Sequence, residues 1–327
     1  MKLLVTGGLG FIGSNFISHV LKKYENHKII NIDDELIGSN HNYLSNLKNS
    51  QNYFFVKGNI TNKKLMTKLI TDCDVIINFA AESHVDRSIS NPKPFIDSNI
   101  LGVFNILEIL KKQKKRLVHI STDEVFGSLK TGSANEEYRL NPSSPYSASK
   151  ASAELLINSY IRTFNIDSVI TRCTNNYGPH QYPEKLIPKA IILAHRNEKI
   201  PIYGNGKSIR DWIFVEDHCN AIMKVLTDGN SGETYNISSQ NELDNLTIIK
   251  KILKLMNKPL DLLEFVDDRP GEDHRYSLDS MKIRTELKWN HKINFEEGIM
   301  KTIEWYLIKN PWGKIDSKKL KNIPWKR

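Results

Sequence analysis

The stretch Leu3-Leu4-Val5-Thr6-Gly7-Gly8-Leu9-Gly10-Phe11-Ile12-Gly13-Ser14 decides how the chain is read. A short apolar run leads into glycines that satisfy GxxGxxG from Gly7 and GxGxxG from Gly8, and an amphipathic helical pattern then continues to Lys23. Glycines so spaced let the backbone turn tightly and approach a pyrophosphate, whose charge sits on the N-terminus of the following helix. Asp33 stands twenty positions beyond Gly13, at the end of the next apolar run, where a carboxylate accepts from adenosine ribose hydroxyls. A 2′-phosphate beside Asp33 and Asp34 would meet like charge with no adjacent arginine, so the pattern selects NAD over NADP. The bland alternative is a simple strand-to-helix turn; the strand before, the helix after and the acid beyond all argue against it. Asp34 reads equally well as a solvated loop carboxylate.

Outward from that turn, Leu3–Thr6, Ile29–Ile32, Tyr53–Val56, Val75–Phe79, Leu117–Ser121 and Ser168–Arg172 read as strands with nearly continuous hydrophobicity. Strands buried on both faces have this signature. The intervening segments, including Gly10–Lys23, Lys63–Thr71, Phe95–Lys112 and Tyr146–Phe164, carry helical spacing. Alternation of this kind gives an α/β fold, a doubly wound parallel sheet of the Rossmann type. After about Tyr177 prolines and glycines break the alternation, so residues 1–177 are expected to form the NAD-binding domain and 178–327 mainly a smaller α/β substrate domain. Segments near 212–240 are expected to rejoin the first domain.

The 327 residues are 39% hydrophobic and 25% charged, values of an ordinary globular protein rather than a disordered or fibrous one. No apolar run approaches the roughly 20 residues needed to span a bilayer, and the N-terminus enters the glycine turn without room for a signal peptide. Cys73, Cys173 and Cys219 are scattered and form no CxxC pair, so neither a disulfide framework nor a metal site is signalled. A cytoplasmic protein is expected, with no membrane partner. The net charge of +9 raises the question of nucleic acid, but the lysines are spread over most helical segments and lack an interleaved aromatic platform. A solvated basic surface is the preferred reading. The cluster Lys314–Arg327 has no assigned purpose.

Four Tyr-x-x-x-Lys pairs occur, beginning at Tyr24, Tyr53, Tyr146 and Tyr203. Only Tyr146 and Lys150 open a helix after the fifth strand, among the small residues Ser144, Ser147, Ala148 and Ser149. There the ammonium is expected to lower the phenol's pKa so that it serves as a base. Asp123 and Glu124 follow Val118-His119-Ile120 at the carboxyl end of that strand, the edge where open parallel sheets bind ligands. Adjacent carboxyls are usually surface charge; in one pocket they repel, one pKa rises, and an acid and a base coexist at neutral pH.

The strings TGGLGFIGS from Thr6, AAESHVDRSI from Ala80, HISTDEVFG from His119, PYSASKA from Pro145, NNYGP from Asn175, PEKLIP from Pro183, RDWIFVEDH from Arg210 and RPGEDHRY from Arg269 run in order along almost the whole chain. Through them the chain resembles the dTDP-glucose 4,6-dehydratase family, sugar-nucleotide dehydratases of the extended short-chain dehydrogenase kind. The resemblance implies that Tyr146, with Lys150 and Thr122, removes the C4 hydroxyl proton while hydride passes to NAD. Glu124 takes the C5 proton, Asp123 protonates the departing C6 hydroxyl, and hydride returns to C6. It also implies cofactor contacts from Gly7, Gly10, Phe11, Ile12, Gly13, Asp33, Asn59, Ile60, Ala80, Ala81, Tyr146, Lys150 and Asn176. Substrate contacts are implied for Ser83, Thr122, Asn175, Lys185, Arg210, Asn245, Arg269 and Asp273. Arg210 and Arg269 can fork onto diphosphate oxygens; the competing reading is ion pairing with Asp211 or Asp268. Family members also form homodimers, which the helices Phe95–Lys112 and Tyr146–Phe164 would mediate.

The chain departs from this family in four places. Asn59 replaces an aspartate near adenine, its amide oxygen still able to accept from the adenine amine. Glu272 replaces the histidine of RPGHD and adds negative charge beside the nucleotide, which leaves thymine or uracil open. Phe126 replaces a tyrosine, and the stretch between Thr122 and Tyr146 is short. Two other functions share the fold: a sugar-nucleotide 4-epimerase, which does not need the Asp123–Glu124 pair, and a non-catalytic NAD-binding protein, which does not need Tyr146 and Lys150.

Overall fold

The computed structural model describes residues 1–268, 270–309 and 315–321; Arg269 and part of Lys314–Arg327 lie outside the described residues. The first half comprises β1 (Lys2–Thr6), α1 (Phe11–Lys23), β2 (Lys28–Asp33), β3 (Tyr53–Lys57), α2 (Lys63–Thr71), β4 (Val75–Asn78), α3 (Val85–Ser90), α4 (Lys93–Phe95), α5 (Gly102–Gln113), β5 (Arg116–Thr122), α6 (Pro145–Phe164) and β6 (Ser168–Cys173). Then follow β7 (Asn175–Tyr177), α7 (Leu186–His195), β8 (Ile200–Tyr203), β9 (Ile209–Phe214), α8 (Val215–Asp228), β10 (Thr234–Ile237), β11 (Glu242–Asp244), α9 (Asn245–Leu255), β12 (Leu263–Val266), α10 (Met281–Glu286), α11 (Phe295–Lys309) and α12 (Ser317–Lys321).

Seven strands form one parallel sheet in the order β10-β6-β5-β4-β1-β2-β3. Alternate residues of a strand point to opposite faces, and here both faces are dry. Leu3 and Val5 join a core with Phe16, Ile17 and Val20 of α1 and Cys219, Ile222 and Met223 of α8. Leu4 lies between them and joins the opposite core, with Met66 and Ile70 of α2, Ile106 and Leu110 of α5 and Ile157 of α6. Each fully buried aliphatic side chain contributes about 1.5–3 kcal/mol, so continuous hydrophobicity in the strands requires both helical layers. The layer of α1 is completed only when α8 returns from the far half of the sequence, and β10 then adds an edge strand to the sheet.

The remaining strands form a three-stranded sheet, β11-β9-β7, and a parallel pair, β12-β8. Around them packs a separate core that includes Ile187 and Ile191 of α7, Ile249 and Ile252 of α9, and Ile299 and Ile303 of α11. No helix among the described residues is long and apolar enough to cross a membrane. All three cysteines are unpaired and buried.

One helix differs from the sequence expectation. Phe95–Lys112 is not regular: Ile96–Leu101 is a π-helical segment that runs into α5. The wider turn carries Asn99 into the interior, where it is 1% exposed. A buried amide must be satisfied, and this one is. Its oxygen accepts from Glu82 N (2.9 Å), and its nitrogen donates to Glu82 O (3.0 Å) and Ser149 Oγ (2.8 Å). The segment after β4 is thereby tied to the first turn of α6.

Candidate active site

The strand order reverses between β1 and β4, and a cleft of about 330 Å³ opens there at the carboxyl ends of the strands. Its floor is the β1–α1 turn. Gly7 has φ +69°, and a Cβ there would lie 2.8 Å from the Ala80 backbone; one on Gly13 would lie 2.4 Å from Gly7 O. The turn therefore closes only with glycine at both places. α1 has Gly10 at its N-cap position, with no side-chain cap and no acidic residue in its first turn. Its first N–H groups, which lack intrahelical acceptors, face the cleft that Gly10, Phe11, Ile12 and Gly13 line.

Asp33, buried at the end of β2, holds this turn by accepting from Leu9 N (2.9 Å) on Oδ2, and its Oδ1 takes Glu35 N (2.9 Å) and Ser39 Oγ (2.7 Å). A carboxylate has about four acceptor positions, so capacity remains toward the cleft. Asn59 behaves otherwise than expected. Its oxygen already accepts from Thr61 N (2.8 Å) and Thr61 Oγ1 (2.7 Å), and its nitrogen donates to Asp34 Oδ2 (2.8 Å). What Asn59 presents to the cleft is therefore a pair with Asp34. Ile60, Ala80 and Ala81 continue the wall, as does Asn176, whose oxygen is 2.9 Å from His218 Nδ1.

Thr122, Asp123, Glu124, Tyr146 and Lys150 all line the same cleft. The strand end supplies the first three. The Thr122 hydroxyl donates to Asp123 Oδ1 (3.1 Å) and accepts from Glu124 N (3.3 Å). Asp123 Oδ2 is buried with no hydrogen-bond partner among the described residues. Burial first, and then the neighbouring Glu124, hold the Asp123 carboxyl well above the usual aspartate range. α6 supplies the rest, its start fixed by Ser144 and Ser147, which cap each other's backbone N–H groups.

The phenol does not follow the sequence expectation. Lys150 Nζ donates to Ile120 O at 2.6 Å, and burial lowers its pKa to about 8. Tyr146 is instead held well above its ordinary value, first by burial and then by Glu124. Desolvation outweighs an ammonium that is turned toward a strand carbonyl. The other three Tyr-x-x-x-Lys pairs begin at the end of α1, on β3 and at the end of β8, none within a helix.

The substrate set divides. Ser83, Thr122, Asn175 and Lys185 line the cleft, with Lys185 Nζ donating to Ser83 O at 3.1 Å. Arg210, Asn245 and Asp273 are not part of its wall. Arg210 is buried and pairs neither with Asp211 nor with Asp268, but with Glu272, at 2.7 Å. It is nevertheless close enough to oppose the rise at Asp123. Asn245 opens α9, its N–H donating to Ser208 O. Asp273 accepts from Ser143 Oγ (2.7 Å) and Tyr276 Oη (2.6 Å), which fastens the short stretch before α6 to the 270–276 loop. Arg269 lies outside the described residues.

Two features of the cleft escaped the sequence reading. Glu82 lines it with a carboxyl that burial pushes up, and Arg87, also on the wall, donates to Glu184 at 2.6 Å. Both lie in the string that begins at Ala80; the π-turn that anchors Glu82 has no sequence signature. Among the described residues no cluster of histidine, cysteine and acid could hold a metal ion.

Residues 4–302 match the family model described as GDP-mannose 4,6 dehydratase. A dTDP-glucose 4,6-dehydratase of Xanthomonas campestris pv. campestris is 41% identical, the match covering 94% of each chain. The crystal structure of a dTDP-glucose 4,6-dehydratase from Bacillus anthracis in complex with NAD superposes with a TM-score of 0.90 at 45% identity, over 95% of this chain and 98% of that one. A UDP-glucuronic acid 4-epimerase from Bacillus cereus, solved with UDP-glucuronic acid and NAD, also reaches 0.90, over 94% of this chain and 100% of that one, but at 28% identity. The fold is common to both reactions, so the side chains must separate them.

Proposed function

The chain belongs to the sugar-nucleotide 4,6-dehydratase family that the GDP-mannose 4,6 dehydratase model describes, and on that premise we propose that it converts dTDP-glucose or UDP-glucose to the 4-keto-6-deoxy sugar with NAD as its cofactor. The reading rests above all on one observation: Asp123 and Glu124 share a cleft with Tyr146. The fit of NAD is supported by the uncapped start of α1, the remaining acceptor capacity of Asp33 and the glycine turn that no Cβ could enter. NAD held by the β1–α1 turn and Asp33 would supply the hydride acceptor for C4 and donor for C6 and, when oxidised, positive charge in the cleft that Tyr146 lines.

The chain's own residues move the protons. Tyr146 removes the C4 hydroxyl proton, with Thr122 and Lys150 holding its surroundings polar. The C4 ketone then acidifies C5, whose proton Glu124 takes. Asp123, kept protonated by burial and by Glu124, gives its proton to the C6 hydroxyl, which leaves as water. As C6 gains the hydride lost from C4, Glu124 returns its proton to C5, and the proton taken from the C4 hydroxyl offsets the one Asp123 gave to the water, so one water is eliminated with no net oxidation. An epimerase would have no use for a protonated aspartic acid beside a second carboxylate.

Incubating the purified protein with NAD and either nucleotide sugar is expected to give a product with the alkaline ultraviolet absorbance of a 4-keto sugar. A galactose isomer without that absorbance would place the chain among the epimerases. Comparing the two substrates side by side also decides the base.

We further infer that residues 1–177, rejoined by segments near 212–240, form the NAD-binding domain and that 178–327 form mainly a substrate-binding domain. This division is supported by the separate second core and by the packing of α8 and β10 with the first half. A homodimer through α5 and α6 is supported by Leu101, Phe104 and Leu155, which are 44–61% exposed on and beside those helices. Sedimentation at micromolar concentration is expected to give twice the chain mass, and a monomer alone would remove the proposal. Cytoplasmic residence, which cell fractionation would check, follows from the same reading, since nucleotide sugars are made there.

A further inference from the structure

Arg210 has five N–H groups, and three are committed. Nη1 donates to Ile209 O (2.8 Å), and Nη2 donates to both Glu272 Oε1 (2.7 Å) and Asp273 O (2.7 Å). Its plane stacks on Tyr276, 4.3 Å from the ring centroid, and both Arg210 and Glu272 are at least nine-tenths buried. A guanidinium forks onto an oxyanion along one of two edges, Nε with Nη2 or Nη1 with Nη2. Both edges use Nη2, and both Nη2 hydrogens are taken. Asp273 O is backbone, in a loop fastened by Ser143 and Tyr276; Glu272 is a side chain and can yield.

We propose that Glu272 is an affinity-setting residue that occupies the phosphate-binding edge of Arg210, so that the diphosphate of a nucleotide sugar engages this arginine only by displacing the Glu272 carboxylate. The inference rests on the reading that Arg210 receives the diphosphate. Its physical basis is competition between two anions for one donor. With Glu272 in place the arginine's charge is already neutralised and no bidentate edge is open, so every diphosphate ligand binds more weakly than to a bare Arg210. Stacking on Tyr276 keeps the guanidinium in place during the exchange, and Glu272 thus sets the nucleotide concentration at which the site fills.

The test uses the full chain loaded with NAD, with dTDP and UDP as probes. Glu272→Gln keeps the shape and one acceptor but not the charge, and Glu272→His installs the residue usual in the family. Both are expected to lower the Kd of the probes about 10-fold or more, the scale of one charge-assisted hydrogen bond. In each, the diphosphate should raise Tm by more than in the parent, and KM should fall by more than kcat changes. Arg210→Gln, measured alongside, should weaken the probes. If Arg210→Gln weakens them while both Glu272 variants bind no tighter than the parent, the competition proposal is overturned and the Arg210 reading stands. If Arg210→Gln leaves affinity unchanged, both fall.

Discussion

Tyr146→Phe is expected to lower kcat by about 10³-fold, within the 10²–10⁴ range for loss of a positioned general base, with no reduced cofactor formed in a single turnover. The ring itself stays: it packs edge-on against Phe95, with centroids 6.2 Å apart, so the phenylalanine preserves the wall and removes only the hydroxyl. Tm should therefore move little, which separates a chemical loss from a folding loss. The demand on this hydroxyl is large, because burial and Glu124 hold it protonated in the free protein. Turnover near the parent rate in Tyr146→Phe would assign the C4 proton to another group.

Glu124→Gln is expected to separate the two halves of the reaction. Oxidation at C4 does not need this carboxylate, but removal of the C5 proton does, so the near-ultraviolet absorbance of reduced cofactor should build up to about one equivalent while keto-deoxy sugar falls by about 10²-fold or more. The same change should remove a charge that now raises both Asp123 and Tyr146, easing the first step while blocking the second. Mass spectrometry of the protein-bound sugar, read for a 4-keto species that keeps its C6 hydroxyl, provides an independent measure. Turnover at the parent rate, with no absorbance change, would dismiss Glu124 as the base.

Much of this site could be read from the chain itself because its parts are local. The glycine turn needs only residues 7–13 and the strand and helix that flank them. Asp33 follows at the end of the next strand, and Thr122, Asp123 and Glu124 are consecutive at a strand end whose direction is fixed by the parallel sheet. Tyr146 and Lys150 lie one helical turn apart. In each case backbone geometry over a few residues decides where the side chains go, and repeating patterns of hydrophobicity report that geometry.

What folding alone decided are the partnerships. Arg210 meets Glu272 across 62 residues, Asn99 meets Ser149 across 50, and Asn59 turns its oxygen to Thr61 rather than outward. Lys150 donates to the Ile120 carbonyl instead of lowering the Tyr146 pKa. A side chain's charge and hydrogen-bond state depend on which distant groups share its few ångströms of low-dielectric space, and no local pattern encodes that. The sequence by itself therefore determined the sheet, the cofactor turn and the catalytic residue types. The tertiary structure decided which of those groups are buried, which hold a proton and which arginine edge is already taken.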